Sequence, residues 1–180
     1  YKVKLRQLSY GAILLPFVIP EIIIAVSLIV LWTGMGLQLG LIPVTISHVL
    51  FCTPFCMLVL ISRMEGFDKN LEEAAMDLGE NAWGTFWRVT FPLVLPAIVA
   101  SLLLSFVISF DEFILAFFLT SSDQTLPLYM WGQLRFPKKL PHVLALGAVI
   151  IVATSIIVML SYWLRNLGSP TDKKNNIGGI

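Results

Sequence analysis

Three acidic residues lie inside apolar stretches of the sequence: Glu21, Asp111 and Glu112. An ionised side chain inside a bilayer costs roughly 2.5–3.5 kcal/mol on insertion scales, and such residues often mark substrate or ion pathways. Three interpretations are compatible with them: binding of a cationic solute, acid–base catalysis within the membrane, or internal hydrogen bonding at the end of a span. The residue types alone leave these alternatives open.

A polar stripe accompanies the last of these residues. At 100° per residue, Glu112 and three serines fall within an arc of about 80° on one helical face, whereas Asp111 lies about 100° away from Glu112. The serines are Ser101, Ser105 and Ser109. Serines facing lipid would gain nothing, so we expect the stripe at a subunit interface or along a translocation path. The candidate path residues are Glu21, Ser105, Ser109, Asp111 and Glu112.

Other catalytic and metal-binding patterns are absent from the sequence. It contains no GxxxxGK[ST] phosphate loop, no HExxH and no GxSxG. His48, Cys52 and Cys56 share one helical face, but eight residues at about 1.5 Å rise separate the outer two by roughly 12 Å, too far to share a metal. We therefore expect no catalytic residue and no metal site, and we expect both cysteines to pack within a membrane helix.

The composition indicates the class of protein that holds these residues. Of 180 residues, 57% are hydrophobic and 13% are charged, whereas a soluble domain carries about 45–50% apolar and about 25% charged residues. This balance excludes an ordinary soluble domain, a disordered chain and a disulfide scaffold. The apolar runs do not alternate as the strands of a membrane barrel would. The sequence therefore predicts an all-α membrane protein, a polytopic helical bundle.

Four segments are long enough to cross a bilayer, which takes about 20 mostly apolar residues in a helix. They are residues 11–33, 41–62, 93–120 and 142–164. Pro16 and Pro20 are expected to kink the first span before Glu21, either as a flexing point or as a static bend. Residues 166–180 form a polar tail that we expect to be flexible.

The basic residues predict the orientation of these spans. If both termini are inside the cell, nine of the 12 Lys and Arg residues lie on the inner side. The outer side then holds only Arg135, Lys138 and Lys139. Both termini and the polar loop 63–92 are therefore predicted to be cytoplasmic.

The first part of this loop is predicted to be a short amphipathic helix that ends at Gly79. Asp68 or Asn70 can cap its start, and glycine accepts the left-handed conformation that ends a helix. The apolar positions recur at helical spacing on one face: Leu71, Ala74, Ala75 and Leu78. The acidic positions are expected on the solvated face: Glu72, Glu73, Asp77 and Glu80.

A second short helix is predicted from Ala82 to about Val89, with Asn81 as its cap. It projects Trp83, Phe86 and Trp87, and Pro92 and Pro96 then lead into the third span. An ordinary polar loop rarely needs two helices, a glycine corner and exposed tryptophans. The combination favours a rigid projection that docks in a groove of a partner protein.

At this loop the sequence resembles a known family. Glu73-Ala74-Ala75, three residues, Gly79, nine residues and then Val89-Thr90-Phe91-Pro92 resemble the EAA loop of bacterial ABC importer permeases, E-A-A-x3-G-x9-I-x-L-P. Val89 and Phe91 replace the family's Ile and Leu. The resemblance covers the whole chain and is strongest to spermidine/putrescine-type permeases. It is also carried by Pro20-Glu21, Ser62-Arg63, Gly66-Phe67-Asp68, Phe110-Asp111-Glu112-Phe113 and Thr125-Leu126-Pro127-Leu128.

The resemblance implies a non-enzymatic permease subunit in the bacterial inner membrane, with residues 1–165 forming the permease domain. Such subunits pair with a second permease, rest on a cytoplasmic dimer of ATPases that bind ATP and magnesium, and receive substrate from an extracytoplasmic binding protein. The implied coupling residues are Glu73, Ala74, Ala75, Gly79, Asn81, Trp83, Val89, Phe91 and Pro92. No cofactor on this chain and no nucleic-acid partner are expected; membrane lipid surrounds it.

The expected substrate is a polyamine or a related small cation. The alternatives are a permease of the same family for an amino acid, an opine or a phosphonate, and, from other classes, an intramembrane enzyme or a channel-forming protein. Neither of the last two needs a loop that docks an ATPase. Members of the family usually have six spans, so two further spans are expected before the four visible here.

Overall fold

The computed structural model describes Gly11 and residues 13–167 of the chain. The described residues form helices and connecting turns, with no strand among them. This confirms the predicted all-helical class. The predicted cytoplasmic positions of Lys2, Lys4 and Arg6, and most of the tail 166–180, lie outside the described residues.

The first apolar segment is broken at the position where the kink was predicted. Residues 13–18 are helical, Ile19 and Pro20 are not, and helix α1 begins at Glu21 and ends at Gly34. Pro20 has an extended backbone, with φ −53° and ψ 131°. Proline lacks a backbone N–H and clashes with the preceding turn of a helix, so the chain restarts a new helix at Glu21. The prediction of one span over 11–33 is therefore wrong.

Three longer apolar helices are the membrane-spanning candidates within the described residues. Helix α2 covers Leu41–Glu65, a continuous helical stretch covers Ala82–Asp111, and another covers Pro137–Asn166. The second and fourth predicted spans are confirmed as apolar helices of spanning length.

The third predicted span, 93–120, differs from the structure at both ends. It is helical from the loop onwards: α4 at Ala82–Thr85 continues through a π-helical turn at Phe86–Thr90 into α5 at Phe91–Asp111. It then breaks at Glu112 and Phe113, and a separate helix, α6, covers Ile114–Leu119. At this break the Glu112 side chain accepts backbone N–H groups of the first turn of α6.

The remaining described elements are two short helices and one long one. Helix α3 covers Asn70–Asp77, helix α7 covers Leu126–Gln133, and helix α8 covers Leu140–Leu167 after a 3-10 turn at Pro137–Lys139. The chain divides into two compact units. The first joins the described residues up to Phe55 with Ser105–Thr154, and the second joins Cys56–Leu104 with the described residues from Ser155.

In the first unit, the short helix α6 packs against α1 and forms the core. Val44, Ala116 and Leu119 are buried together. The partly buried side chains around them are Leu28, Ile29, Leu39 and Leu128. This packing fixes the position of α6 and therefore of Glu112, which immediately precedes it.

In the second unit, small residues allow close approach of two helices. Ala97, Ala100 and Ser101 are buried on α5. The Ser161 hydroxyl of α8 donates a hydrogen bond to the Ala100 carbonyl at 2.9 Å. Small side chains and interhelical hydroxyl bonds are the usual means of helix association in membranes, where lipid removes the hydrophobic driving force.

Candidate functional site

The EAA segment forms an exposed apolar surface on α3. Glu73, Ala74 and Ala75 lie in this helix, and Leu71 and Ala74 are exposed while Ala75 is half-buried. Leu78 is the helix's C-terminal cap residue and is 87% exposed. A leucine that exposed gains nothing in water, so the predicted apolar face is present and unoccupied within the described part of the chain.

Gly79 forms the corner after α3, as the sequence predicts. Its φ is +94°, in the region that non-glycine residues rarely adopt. No atom beyond its neighbours lies within 4 Å of a Cβ built at this position. The backbone conformation, and not lack of space, therefore requires glycine at the corner.

Asn81 starts the next helix, which carries an exposed aromatic cluster. The Asn81 side-chain oxygen accepts the Gly84 backbone N–H at 2.8 Å, the cap that the sequence predicts. Trp83 is 71% exposed, and its ring centroid lies 6.2 Å from that of Phe86 and 5.9 Å from that of Trp87. The Trp87 and Phe91 rings follow at 4.9 Å. The rings brace one another while the Trp83 indole stays accessible.

Two acidic residues predicted on the solvated face are instead half-buried and bonded. The Thr90 hydroxyl donates to the Glu72 carboxylate at 2.5 Å. Arg88 forms an ion pair with Glu80. Helical periodicity places the Glu72 carboxylate away from the apolar face of α3, and the returning chain covers it with Thr90. Glu80 lies beyond the Gly79 corner, and its partner Arg88 belongs to the next helical turn, so periodicity within α3 predicts neither contact.

The predicted separation between the second loop helix and the third span is also wrong. Pro92 has no N–H to donate, and the Phe91 N–H bonds to the Phe86 carbonyl five residues back, the π-helical pattern. The wider turn accommodates the proline where a regular helix would meet its ring. Val89 and Phe91 of the motif are half-buried in this turn, so the corner and the span helix form one continuous element.

A second polar site lies in the other unit, at the break between α5 and α6. The Glu112 side chain accepts the Leu115 N–H at 2.7 Å and the Ala116 N–H at 3.1 Å. Its Oε2 also lies 3.0 Å from Nε2 of His48, on α2. Glu112 is only 7% exposed. The carboxylate thus accepts hydrogen bonds from the first N–H groups of α6, which have no partner within that helix. These bonds belong to the start of a new helix, separate from α5.

His48 joins Glu112 to the serine stripe. Its Nδ1 lies 2.8 Å from the Ser109 hydroxyl. An ionised carboxylate only accepts hydrogen bonds, so Nε2 is the donor to Glu112, and a neutral imidazole then accepts from Ser109 through Nδ1. Glu21, at the first position of α1, is half-buried and neighbours Glu112. We call Glu21, His48, Ser109 and Glu112 the polar cluster.

The other two predicted path residues, Ser105 and Asp111, lie in the same unit as this cluster. Ser105 is half-buried one turn before Ser109, and its carbonyl accepts a weak bond from the Cys52 thiol at 3.6 Å. Asp111 is exposed and borders an apolar cavity of about 340 Å³ with Phe110 and Trp131. The predicted separation of Asp111 from Glu112 is therefore present.

His48 is the member of the cluster that sequence reasoning missed. Its spacing from the two cysteines speaks against a shared metal, and no group of three or more metal-ligating side chains occurs among the described residues. The available signal was its place on the same helical face as Cys52. A polar face on one span predicts a polar partner on another span. The serine stripe that ends at Glu112 is the polar face that the sequence offers as this partner.

Comparison with protein families matches residues 1–170 to the family described as "Binding-protein-dependent transport system inner membrane component". The spermidine/putrescine transport system permease protein PotC of Escherichia coli K12 is 33% identical over 182 residues, covering 100% of this chain and 67% of that protein. PotC of Haemophilus influenzae is 35% identical, covering 89% of this chain and 63% of that protein.

The putrescine transport system permease protein PotI of E. coli K12 is 31% identical, covering 83% of this chain and 55% of that protein. This chain thus spans about two thirds of the length of the PotC proteins it matches. The family match covers the EAA loop and all three long apolar helices, and it confirms the resemblance that the loop predicted. The chain belongs to the binding-protein-dependent transport system inner membrane components.

Proposed function

We propose that this chain is a permease subunit of an ATP-driven importer for polyamines. The family match supports the permease role, and the names of the PotC and PotI relatives support spermidine or putrescine as substrate. The acidic side chains within its helical bundle suit a substrate that carries several ammonium groups. This chain does not hydrolyse ATP; a partner ATPase binds ATP and magnesium.

The observation that carries the coupling role is the construction of the loop around Gly79. Leu78 and Trp83 stand exposed on either side of a left-handed corner. Aromatic and large aliphatic side chains of this kind anchor protein interfaces. Because α4 continues without interruption into α5, displacement of the docked corner moves the span helix with it.

The proposed translocation path contains Glu21, Ser105, Ser109, Asp111 and Glu112. Carboxylates attract an ammonium group more strongly in a partly dehydrated path than in water, since the effective dielectric constant falls. The serine hydroxyls can replace water around a cation during passage. The path is completed by a second permease subunit, since the family works in pairs.

The proposed orientation places the loop 63–92 and both chain termini in the cytoplasm. The excess of Lys and Arg on that side supports it. The loop then meets a dimer of ATPase subunits at the inner membrane surface. The connection that carries Arg135, Lys138 and Lys139 faces outward, where a substrate-binding protein delivers the polyamine.

The test is reconstitution of the assembled transporter in lipid vesicles, with binding protein outside and ATP inside. Uptake of radiolabelled spermidine is expected with ATP and not with a non-hydrolysable analogue. Trp83→Ala should weaken association with the ATPase without preventing membrane insertion. Transport of an amino acid, an opine or a phosphonate instead of polyamines would agree with the permease role and would contradict the proposed substrate.

A further inference from the structure

A small cavity lies between α7 and α8, within the first of the two units. Its volume is about 310 Å³, at the lower end of the range for ligand sites. It shares no lining residue with the polar cluster or with the loop 63–92. The side chains that line it are Tyr129, Gln133, Lys139, His142, Val143 and Leu146.

The cavity is polar at one end and apolar at the other. Its four residues from the last long helical stretch recur at i, i+3, i+4 and i+7, so they share one helical face. Lys139 and His142 come first along this face. Val143, which is buried, and Leu146, which is half-buried, come next. The cavity therefore changes from polar to apolar along the axis of α8.

The polar end of the cavity lies at the surface of the membrane. The apolar helical stretch Pro137–Asn166 has 30 residues. At 1.5 Å per residue it is about 45 Å long, about 15 Å longer than the hydrocarbon core of a bilayer. Both of its ends therefore reach the layer of lipid headgroups. Lys139 lies in the first turn, at headgroup level, and Leu146 lies about 10 Å further along the helix, at the level of the acyl chains.

The polar end offers hydrogen-bond donors and positive charge. The Lys139 ammonium donates one hydrogen bond to Gln133 Oε1 at 2.8 Å, which uses one of its three N–H groups. The His142 ring and the Tyr129 hydroxyl can also donate. No carboxylate lines the cavity, and residues 124–171 contain no Asp or Glu at all. This combination is complementary to an anion whose oxygens only accept hydrogen bonds.

We propose that this cavity binds the headgroup phosphate of an anionic phospholipid. Lys139 holds the phosphate oxygens, and one acyl chain extends along Val143 and Leu146. Basic pockets between helices at the membrane surface are known to hold anionic lipid headgroups. A zwitterionic headgroup would place an ammonium group beside Lys139, where no carboxylate is present to pair with it. The site therefore favours phosphatidylglycerol over phosphatidylcholine, whatever solute the protein transports.

The chain offers a matched pair of substitutions for the test. Lys138 and Lys139 are adjacent in the same 3-10 turn, and both are exposed, but only Lys139 lines the cavity. Lys138→Gln and Lys139→Gln remove the same charge at the same depth in the membrane. General attraction of the protein to an anionic surface should respond equally to both changes. A defined site should respond to Lys139→Gln alone.

The readout is the affinity of the delipidated, assembled transporter for added dioleoyl phosphatidylglycerol, measured by native mass spectrometry. Lys139→Gln should lower this affinity about tenfold, the scale of one hydrogen bond to a charged group. Lys138→Gln should leave it within about twofold, a loss well below that of one such bond. Dioleoyl phosphatidylcholine should bind more weakly than phosphatidylglycerol, and inorganic phosphate, which lacks acyl chains, should displace bound phosphatidylglycerol only weakly.

Three results would overturn the proposal. Equal losses in the two lysine variants would mean that surface charge, and not the cavity, attracts the lipid. Displacement of phosphatidylglycerol by an equal concentration of inorganic phosphate would make the cavity a site for free anions. Unchanged lipid affinity in Lys139→Gln would exclude the lipid as occupant. If that variant instead binds the substrate-binding protein more weakly, the cavity belongs to the surface on which that protein docks.

Discussion

The Glu72 carboxylate accepts a hydrogen bond from the Thr90 hydroxyl at 2.5 Å, and this contact ties the EAA helix to the helical turn that leads into the third span. Thr90 is buried, and Glu72 is half-buried. The two residues lie on opposite sides of the Gly79 corner. The corner is therefore closed by a side-chain bond as well as by the backbone.

Loss of the Thr90–Glu72 hydrogen bond should uncouple movement of the EAA helix from movement of the third span. Thr90→Val keeps the side-chain shape and removes the donor, leaving a partly buried carboxylate without its partner, at a cost of about 1–3 kcal/mol. We expect the ATP hydrolysis stimulated by the binding protein to fall while the complex still assembles. Asp77→Asn, an exposed position on the same helix, is the control. Unaltered stimulation in Thr90→Val would show that the backbone alone holds the corner.

Substitutions at Gly79 should follow backbone preference and not side-chain size. Asparagine tolerates positive φ better than other non-glycine residues, whereas a β-branched residue does not. Gly79→Val should therefore nearly abolish uptake and Gly79→Asn should retain more of it. Space around Gly79 is open, so side-chain size should not decide the uptake. Gly79→Ala should therefore retain less uptake than Gly79→Asn, although alanine is the smaller residue. The opposite ranking, alanine above asparagine, would contradict the backbone explanation. Expression and membrane insertion, measured in parallel, should be equal in all three.

The proposed orientation is tested by single cysteines at Asn81 and Gln133. The background carries Cys52→Ser and Cys56→Ser, which keep a hydroxyl in place of each thiol. A membrane-impermeant maleimide applied to intact spheroplasts should label position 133 and should label position 81 only after lysis. Rapid labelling of position 81 in intact spheroplasts would reverse the topology. A cysteine at Asn175 extends the test to the tail outside the described residues.

The carboxylates of the path should respond differently to charge removal. Glu21→Gln keeps the size of the side chain and removes its charge, so spermidine uptake should fall while assembly and basal ATP hydrolysis stay nearly unchanged. Asp111→Asn, at an exposed position away from the cluster, should affect uptake less than Glu21→Gln. The measurement is radiolabelled spermidine uptake in vesicles at matched protein levels. Unchanged uptake in a variant carrying both Glu21→Gln and Glu112→Gln would remove the electrostatic argument for a cationic substrate.

Features that depend on neighbouring residues along the chain were predictable from the sequence. The apolar runs predicted helices in a membrane, Pro16 and Pro20 predicted a kink before Glu21 where the structure has a full break, and Gly79 and Asn81 predicted a corner and a cap. Each depends on the conformational preference of one residue or on helical periodicity, which act over a few positions. The EAA spacing is likewise a local pattern, and it was sufficient to indicate the family.

The contacts between helices were decided by tertiary structure. His48 and Glu112 are 64 residues apart, and nothing in the spacing of either helix specifies that the imidazole meets this carboxylate. Glu72 lies on the polar side of its own helix, yet the returning chain turns it toward Thr90. The break after Asp111 has the same origin: an apolar run favours a continuous helix, and only the packing of α6 against α1 places its first N–H groups over the Glu112 carboxylate. Periodicity assigns a residue to a face of its own helix, whereas the partner on that face depends on how distant segments pack.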